Sequence, residues 1–343
     1  MIELVYEDYK LDMDDYIQDV VEIHAQATPF WTEYQENKKF DLINEIQGLE
    51  DLRKLPYFTD DDIRSRPPED FVPTNLPKSQ RVLSTSSGTT GEQKHVYWSR
   101  NIINHMVNYA EWVLRERDFP YNELWVCTGP GNDIFKIFLN DLAGRFDGDF
   151  KYLEVDAAAA KKAFLSKDPA AIKQFFDSVS GEVEKIAQEH DIGVYEDIAP
   201  LMSESADRLS EDKRNKIRGL LLGGVETTIE KIELFREKFP NAEIGGWYGD
   251  FMNGTGMIRA INPSGIIYQP FFPYVVWEVR DLDDIGKNMG YGERGEVITH
   301  RLGPDIFIPN RRIGDEAERM EPLSPLKWDG VKNVTRLPKH PDQ

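Results

Sequence analysis

The sequence predicts an α/β protein of layered, mostly parallel sheets with helices, plus a small antiparallel β-subdomain towards the C-terminus. Three observations carry that expectation. Between residues 81 and 239, short apolar runs alternate with longer segments of helical periodicity, the texture of βα units. From Tyr274 the texture changes to β-rich runs (Val275, Val276, Trp277, Val279, then Val297 and Ile298) separated by Asp and Gly turns. Ahead of both, residues 1–67 are acidic and helical in spacing. The expected division is a helical N-terminal cover at 1–80, an α/β core at 81–270, a β-subdomain at 271–330 and a tail at 331–343.

In order, Tyr16, Val20, Val21, Ile23, His24 and Phe30 fall near helical spacing. Asp60-Asp61-Asp62-Ile63-Arg64 starts one more short helix, which Pro67-Pro68 must end. His24 reads as a satisfied helical histidine, with a substrate contact as the alternative. Arg81-Val82-Leu83 is strand-like. Ser99 caps a helix over 101–117 whose stripe is Ile102, Ile103, Met106, Val107, Ala110, Val113 and Leu114, with His105 at its edge. Strands are expected at 124–127, 150–155, 192–195 and 218–222. The intervening helices are expected at 133–146, 161–165 and 169–190. Thr128-Gly129-Pro130-Gly131 reads as a tight turn, and Thr227 with Glu230 as a capping box for a helix ending at Phe239. No repeat or low-complexity segment interrupts this order.

Composition excludes several function classes. At 343 residues the chain is long enough for about two domains. The formal net charge of −20 repels nucleic-acid phosphates and anionic membranes, so neither is an expected partner. No apolar run approaches a membrane span. The one cysteine, Cys127, lies in the apolar run Leu124-Trp125-Val126-Cys127 and reads as a buried small hydrophobe. A reducing cytoplasmic setting is the natural expectation.

The chemistry is concentrated in Leu83-Ser84-Thr85-Ser86-Ser87-Gly88-Thr89-Thr90-Gly91-Glu92-Gln93-Lys94. Hydroxyls and glycine amides converge well on phosphate oxygens, and Lys94 adds a point charge. The glycine spacing is not that of a Walker A loop. Ser86 to Lys94 instead resemble the phosphate loop of the adenylate-forming (acyl-CoA synthetase and luciferase) superfamily, with Gln93 where that pattern has Pro. Three later stretches resemble the same superfamily in the same order. Leu221-Leu222-Gly223-Gly224-Val225 is similar to the strand and glycine turn along the adenine. Gly246-Trp247-Tyr248-Gly249 is similar to the aromatic-glycine motif that stacks on it. Gly292-Glu293-Arg294-Gly295-Glu296 and Arg312-Ile313-Gly314-Asp315 resemble the late glycine–acid turns, which makes Asp315 the ribose ligand, beside Arg312. The aromatic-glycine motif ordinarily continues to a Glu that helps hold Mg²⁺. Met252 stands there, and a thioether is no ligand for a hard cation, which leaves Asp250 or Asn253 to supply oxygen.

The opening His24 to Trp31 and Leu52 to Pro56 look most like the phenylacetate-CoA ligase and acyl-protein synthetase branch, including compact relatives of phenazine antibiotic biosynthesis. That resemblance implies the N-terminal domain of an adenylate-forming enzyme, with a nucleotide-binding core at 81–270 and without the mobile C-terminal domain. It implies ATP and Mg²⁺ as cofactors. Ser86, Ser87, Gly88, Thr89, Thr90, Gly91 and Lys94 would hold the phosphates, and Gly223, Gly224, Val225, Trp247, Tyr248 and Gly249 the adenine. The acid pocket is expected near residues 128–135 and 247–254, for an aromatic or other apolar acyl group. The acceptor would be a thiol of CoA or a carrier protein, or would come with a separate partner domain. A binding module that holds nucleotide or acyl-adenylate without turnover is the alternative. Acyl transfer through Cys127 is a third reading, against which its apolar setting predicts a poorly reactive thiol.

Overall fold

The computed structural model describes residues 11–85, 94–131, 133–250 and 254–337. The chain opens with α1 (Met13–Ala27), α2 (Pro29–Lys38), α3 (Leu42–Glu45) and α4 (Asp60–Arg64), followed by strands β1 (Arg81–Thr85) and β2 (His95–Ser99). Next come α5 (Arg100–Arg115), β3 (Leu124–Pro130), α6 (Asp133–Arg145), β4 (Asp149–Val155), α7 (Ala157–Ser166) and α8 (Pro169–Glu189). Then follow β5 (Val194–Asp197), α9 (Ala199–Arg208), α10 (Glu211–Lys216), β6 (Gly219–Leu222), α11 (Ile229–Lys238) and β7 (Glu243–Asp250). The chain closes with β8 (Gly254–Asn262), β9 (Gly265–Pro270), β10 (Val275–Arg280), β11 (Arg294–Leu302), β12 (Phe307–Met320) and β13 (Gly330–Arg336).

Contacts gather these elements into two units. One takes in residues 11–85, 94–109 and 249–337. Its sheet is antiparallel throughout the order β10-β11-β12-β13-β9-β8. Helix α1 forms because Asp12 caps it, accepting the Asp14 N–H at 3.0 Å. Its buried residues Ile17, Val20, Val21, His24 and Ala25 share one face. Trp31 is fully buried and donates its indole N–H to the Phe307 carbonyl at 3.0 Å, tying α2 to β12. Thr59 and Asp62 form a capping box on α4. The hairpin β1–β2 pairs Thr85 with His95.

The other unit takes in residues 110–248. Its sheet is wholly parallel, in the order β7-β6-β5-β3-β4. Strands β5 and β6 are buried on both faces, as parallel strands between helices must be. The chain steps from β3 out to β4, then crosses back to lay β5 on the other side of β3. That reversal is a topological switch point, and ligands of open α/β sheets bind at the carboxyl ends of the strands there.

Several local details differ from expectation. Ser99 does cap α5, accepting the Ile102 N–H at 3.2 Å. The cap of α11 is Thr228, which accepts the Lys231 N–H at 3.4 Å, one residue later than the Thr227 box. Strand β3 continues through Thr128 and Gly129 to Pro130 rather than turning there. Strand β5 begins and ends two residues later than its apolar run, so it carries Glu196 and Asp197.

Candidate nucleotide and acyl-binding residues

In the first unit, Lys94 follows the segment 86–93 and places its ammonium 2.7 Å from Asp60 Oδ2. Asp60 also receives the Arg311 guanidinium, and Arg64 lies 3.3 Å away. Burial alone would raise the Asp60 carboxyl, but Arg311, Lys94 and Arg64 together hold it below its ordinary range. Arg311 is 1% exposed, and its Nε and Nη1 have no hydrogen-bond partner among the described residues. Three cations thus meet one carboxylate, with donor capacity left over on a buried guanidinium.

Arg311 opens the stretch of β12 that carries the late motif. Arg312 forms a two-pronged pair with Glu296, at 2.8 and 2.7 Å, so its guanidinium braces β11 against β12. Gly314 has a φ of +76°, a conformation glycine adopts without cost. Asp315 follows at once, in register with Arg336 of β13, whose Nη1 is 2.9 Å from its Oδ1. Four residues of extended chain place Asp315 about 13 Å along β12 from Arg311. Gly249, also of this unit, has a φ of +115°, and a Cβ there would sit 2.5 Å from the Gly254 carbonyl.

In the second unit, Gly223 and Gly224 follow β6 directly. A Cβ on Gly223 would lie 2.0 Å from the Trp247 indole nitrogen, so the ring occupies the space glycine leaves. Gly224 has a φ of +76°. Val225 is exposed, Trp247 is buried and Tyr248 is half-buried. Phe135 and Phe138 of α6 meet Trp247 edge-on at 5.8 and 6.1 Å.

At the switch point, β5 presents Glu196 and Asp197, 3% and 1% exposed. Burial drives both carboxyls up, Asp197 to about 7, against the pull of its bonds from the Thr128 and Tyr195 hydroxyls and the Ile198 N–H. Tyr195 donates to Asp197 at 2.6 Å and shares a 2.8 Å bond with Ser205 of α9. Cys127 is fully buried beside them, and burial with two neighbouring carboxyls pushes its thiol well up. That thiol is a packed hydrophobe and no support for acyl transfer through cysteine. His24 is likewise satisfied, bonded to Thr28 Oγ1 at 2.7 Å and to the Gly303 carbonyl at 2.8 Å. Burial lowers its imidazole to about 4.

Ser86, Ser87, Gly88, Thr89, Thr90, Gly91 and Asn253 lie outside the described residues. Asp250 is the last residue of β7. Among the described residues no group of three His, Cys, Asp or Glu is placed to hold a metal ion. Sequence reading missed Asp60, Arg311, Glu196 and Asp197. Only the unusual pairing of two acids behind an apolar run could have flagged the last two.

In fold the chain is similar to 2-hydroxyisobutyryl-CoA ligase solved with 2-HIB-AMP and CoA. The match covers 95% of this chain and 72% of that one, with a TM-score of 0.67 and 16% identity. The same ligase in its thioesterification state gives 0.71 over 95% of this chain and 67% of that one, at 15% identity. The chain has the fold of the adenylate-forming ligases. By sequence it is similar to tyrocidine synthase 3 of Brevibacillus parabrevis, 24% identical over 264 residues, which are 70% of this chain. The chain spans 4% of the length of that relative. No protein-family model matches it. Among the described residues no helix is long and apolar enough to cross a membrane.

Proposed function

We propose that this adenylate-forming fold activates a carboxylic acid with ATP for transfer to a thiol such as that of CoA or a carrier protein. A carboxylate oxygen attacks the α-phosphorus, and pyrophosphate leaves with the electrons of the broken P–O bond. The acceptor sulfur then attacks the acyl carbon of the adenylate, AMP leaves with the electrons of the broken C–O bond, and the thiol proton goes to solvent. The protein's part is positioning and charge stabilisation rather than covalent catalysis.

The observation that supports this reading is the likeness, over 95% of the chain, to a ligase solved with an acyl-adenylate and CoA. Lys94 would exchange Asp60 for the β- and γ-phosphates, alongside Ser86, Ser87, Thr89 and Thr90. Gly224 and Tyr248 would hold adenine, and Asp315 the ribose diol. Mg²⁺ would arrive on the nucleotide, with Asp250 or Asn253 as its protein oxygen. The acyl group would lie at the switch point of the parallel sheet, against Phe135 and Trp247, in keeping with an aromatic or apolar acid. A place in a biosynthetic pathway fits such a thioester product.

The test is ATP, Mg²⁺ and a panel of carboxylic acids, read as pyrophosphate release and hydroxamate trapping. The expected result is acid-dependent release that falls at least about a hundredfold in Lys94→Ala, as for loss of a charged group on a transferring phosphate. ATP binding with neither pyrophosphate nor hydroxamate, for any acid, would replace this reading with a nucleotide-binding module.

A further inference from the structure

Strand β12 takes in an extra residue just before its late motif. Across β11, Ile308 stands opposite Arg301 and Arg311 opposite Thr299, so Pro309 and Asn310 together face His300. That is a β-bulge, a device that re-aims the side chains after it and that gathers beside active sites. Side chains alternate along a strand, so without the extra residue every later side chain would turn to the other face. Arg311 would then leave Asp60, and Arg312 would leave Glu296. The faces that both arginines take are therefore set at Asn310.

Asn310 is held there by every polar group it has. Its φ of +50° is a left-handed conformation that asparagine tolerates better than most residues. Asn310 and His300 are both fully buried. The Asn310 N–H donates to His300 Nδ1 at 3.2 Å, and His300 Nε2 lies 2.9 Å from Glu278 Oε2. A ring nitrogen that accepts a backbone N–H carries no proton, so His300 keeps its proton on Nε2 and donates it to Glu278. The Asn310 carbonyl accepts the Phe58 N–H at 3.1 Å. Its side-chain oxygen accepts from Arg280 at 3.4 Å. Its side-chain amide donates to the Leu52 carbonyl and, at 3.1 Å, to that of Leu55. Phe58 then spans Arg311, its carbonyl accepting the Arg312 N–H at 3.1 Å. One residue thus fixes the bend of β12 and docks against it the segment that leads to Asp60.

We infer that Asn310, held by His300, is a positioning residue: its left-handed bend aims the stretch of β12 that carries Arg311 and Asp315 at the nucleotide. The nucleotide half of this rests on the proposed ATP-dependent activation; the aiming of the strand does not.

Asn310→Gly and Asn310→Ala separate the bend from the packing. Both lose the bonds to Arg280, Leu52 and Leu55, and only glycine holds a positive φ without strain. Two quantities are measured in each: amide hydrogen exchange over residues 311–316 with no nucleotide added, and the affinities for ATP and AMP by calorimetry. Exchange is expected to be about tenfold faster in Asn310→Ala than in Asn310→Gly, for the strain of a left-handed alanine. ATP and AMP are expected to bind at least about tenfold more weakly to Asn310→Ala, as for lost hydrogen bonds to a charged group. Asn310→Gly is expected to melt lower than wild type and yet bind both nucleotides nearly as well, which a purely structural role would not produce. Should Asn310→Ala not fold, His300→Leu against His300→Asn repeats the comparison, because asparagine keeps an acceptor in the place of Nδ1 and leucine does not. Equal exchange within the pair overturns the inference whatever the affinities. So does a wild type that binds nucleotide while both variants of the pair lose it equally or keep it equally. A difference in exchange with no nucleotide bound even by wild type leaves the aiming of β12 standing and removes the ATP reading.

Discussion

Lys94 already has an anion, and that anion is Asp60. The carboxylate holds the lysine at 2.7 Å while also neutralising the buried Arg311. Asp60→Asn removes the charge and keeps the shape. Because Arg311 is 1% exposed, the variant should lose stability, by about 2 kcal/mol, for a buried cation stripped of its counter-charge. It should also gain affinity for polyphosphate, since one negative charge beside Lys94, Arg311 and Arg64 is then gone. Thermal melting with and without pyrophosphate checks this, and a smaller rise in midpoint for the variant than for wild type would refute it. None of this was readable in the chain. Asp60-Asp61-Asp62 signals a helix start, which it is, but its ligands come from 34 and 251 residues away. The sequence marks Lys94 as a candidate because a glycine- and hydroxyl-rich loop has few other uses; what faces it depends on tertiary placement.

Strand β5 shows how the element scale misleads. Its apolar run stops at Tyr195, and a buried strand is expected to stop with it, because two adjacent carboxyls are costly to desolvate. The parallel ladder continues regardless, and Asp197 is accommodated by three hydrogen bonds while Glu196 is left open on one side. Helix α5 was legible to within a residue or two because its stripe and its Ser99 cap agree. Glycines divide in the same way between those the backbone demands and those it tolerates. Gly246 in β7 has a φ of +153°, and a Cβ there would lie 2.2 Å from the Leu222 carbonyl oxygen of β6. Gly246→Ala must push β7 off β6, shifting the adjoining Trp247, and should cost about 2–3 kcal/mol. Gly181 in the middle of α8 would set its Cβ in open space. Gly181→Ala should instead stabilise by about 0.5–1 kcal/mol. Urea unfolding of the two variants measures both signs at once; equal effects would show that glycine backbone freedom, not packing, governs both positions.

For the molecule as a whole, the βα alternation was legible but the strand order was not. Strand β13 inserts between β12 and β9, pairing Val331 with Tyr268 across more than sixty residues of chain, and nothing local encodes that choice. Such placement also buries ionisable groups whose effects on stability appear only against pH. His24 is about 4 when folded and 6.5 when free. Between those values the unfolded chain takes up a proton that the folded one refuses, so its contribution is complete above pH 6.5 and is lost as pH falls to about 4. Asp197 works the other way. Its folded carboxyl titrates near 7 and its free one at 3.8, so its contribution is complete below 3.8 and is lost as pH rises to about 7. The first amounts to about 3 kcal/mol and the second to about 4 kcal/mol over nearly the same interval. They oppose each other, and the wild-type protein should therefore show less dependence on pH there than either group alone would impose. Asp197→Asn removes the titration and keeps one acceptor oxygen for the Ile198 N–H, while the oxygen that accepts the Tyr195 hydroxyl becomes a donor, a change that is the same at every pH. Its stability relative to wild type should improve steadily from pH 4 to 7, while its own curve falls below pH 6.5 with the slope His24 sets. Urea midpoints at four pH values across that range decide the matter. A variant-to-wild-type difference that stays constant with pH would mean that Asp197 is ionised in the folded protein throughout, and that the acidic end of β5 is held by a cation from within the chain.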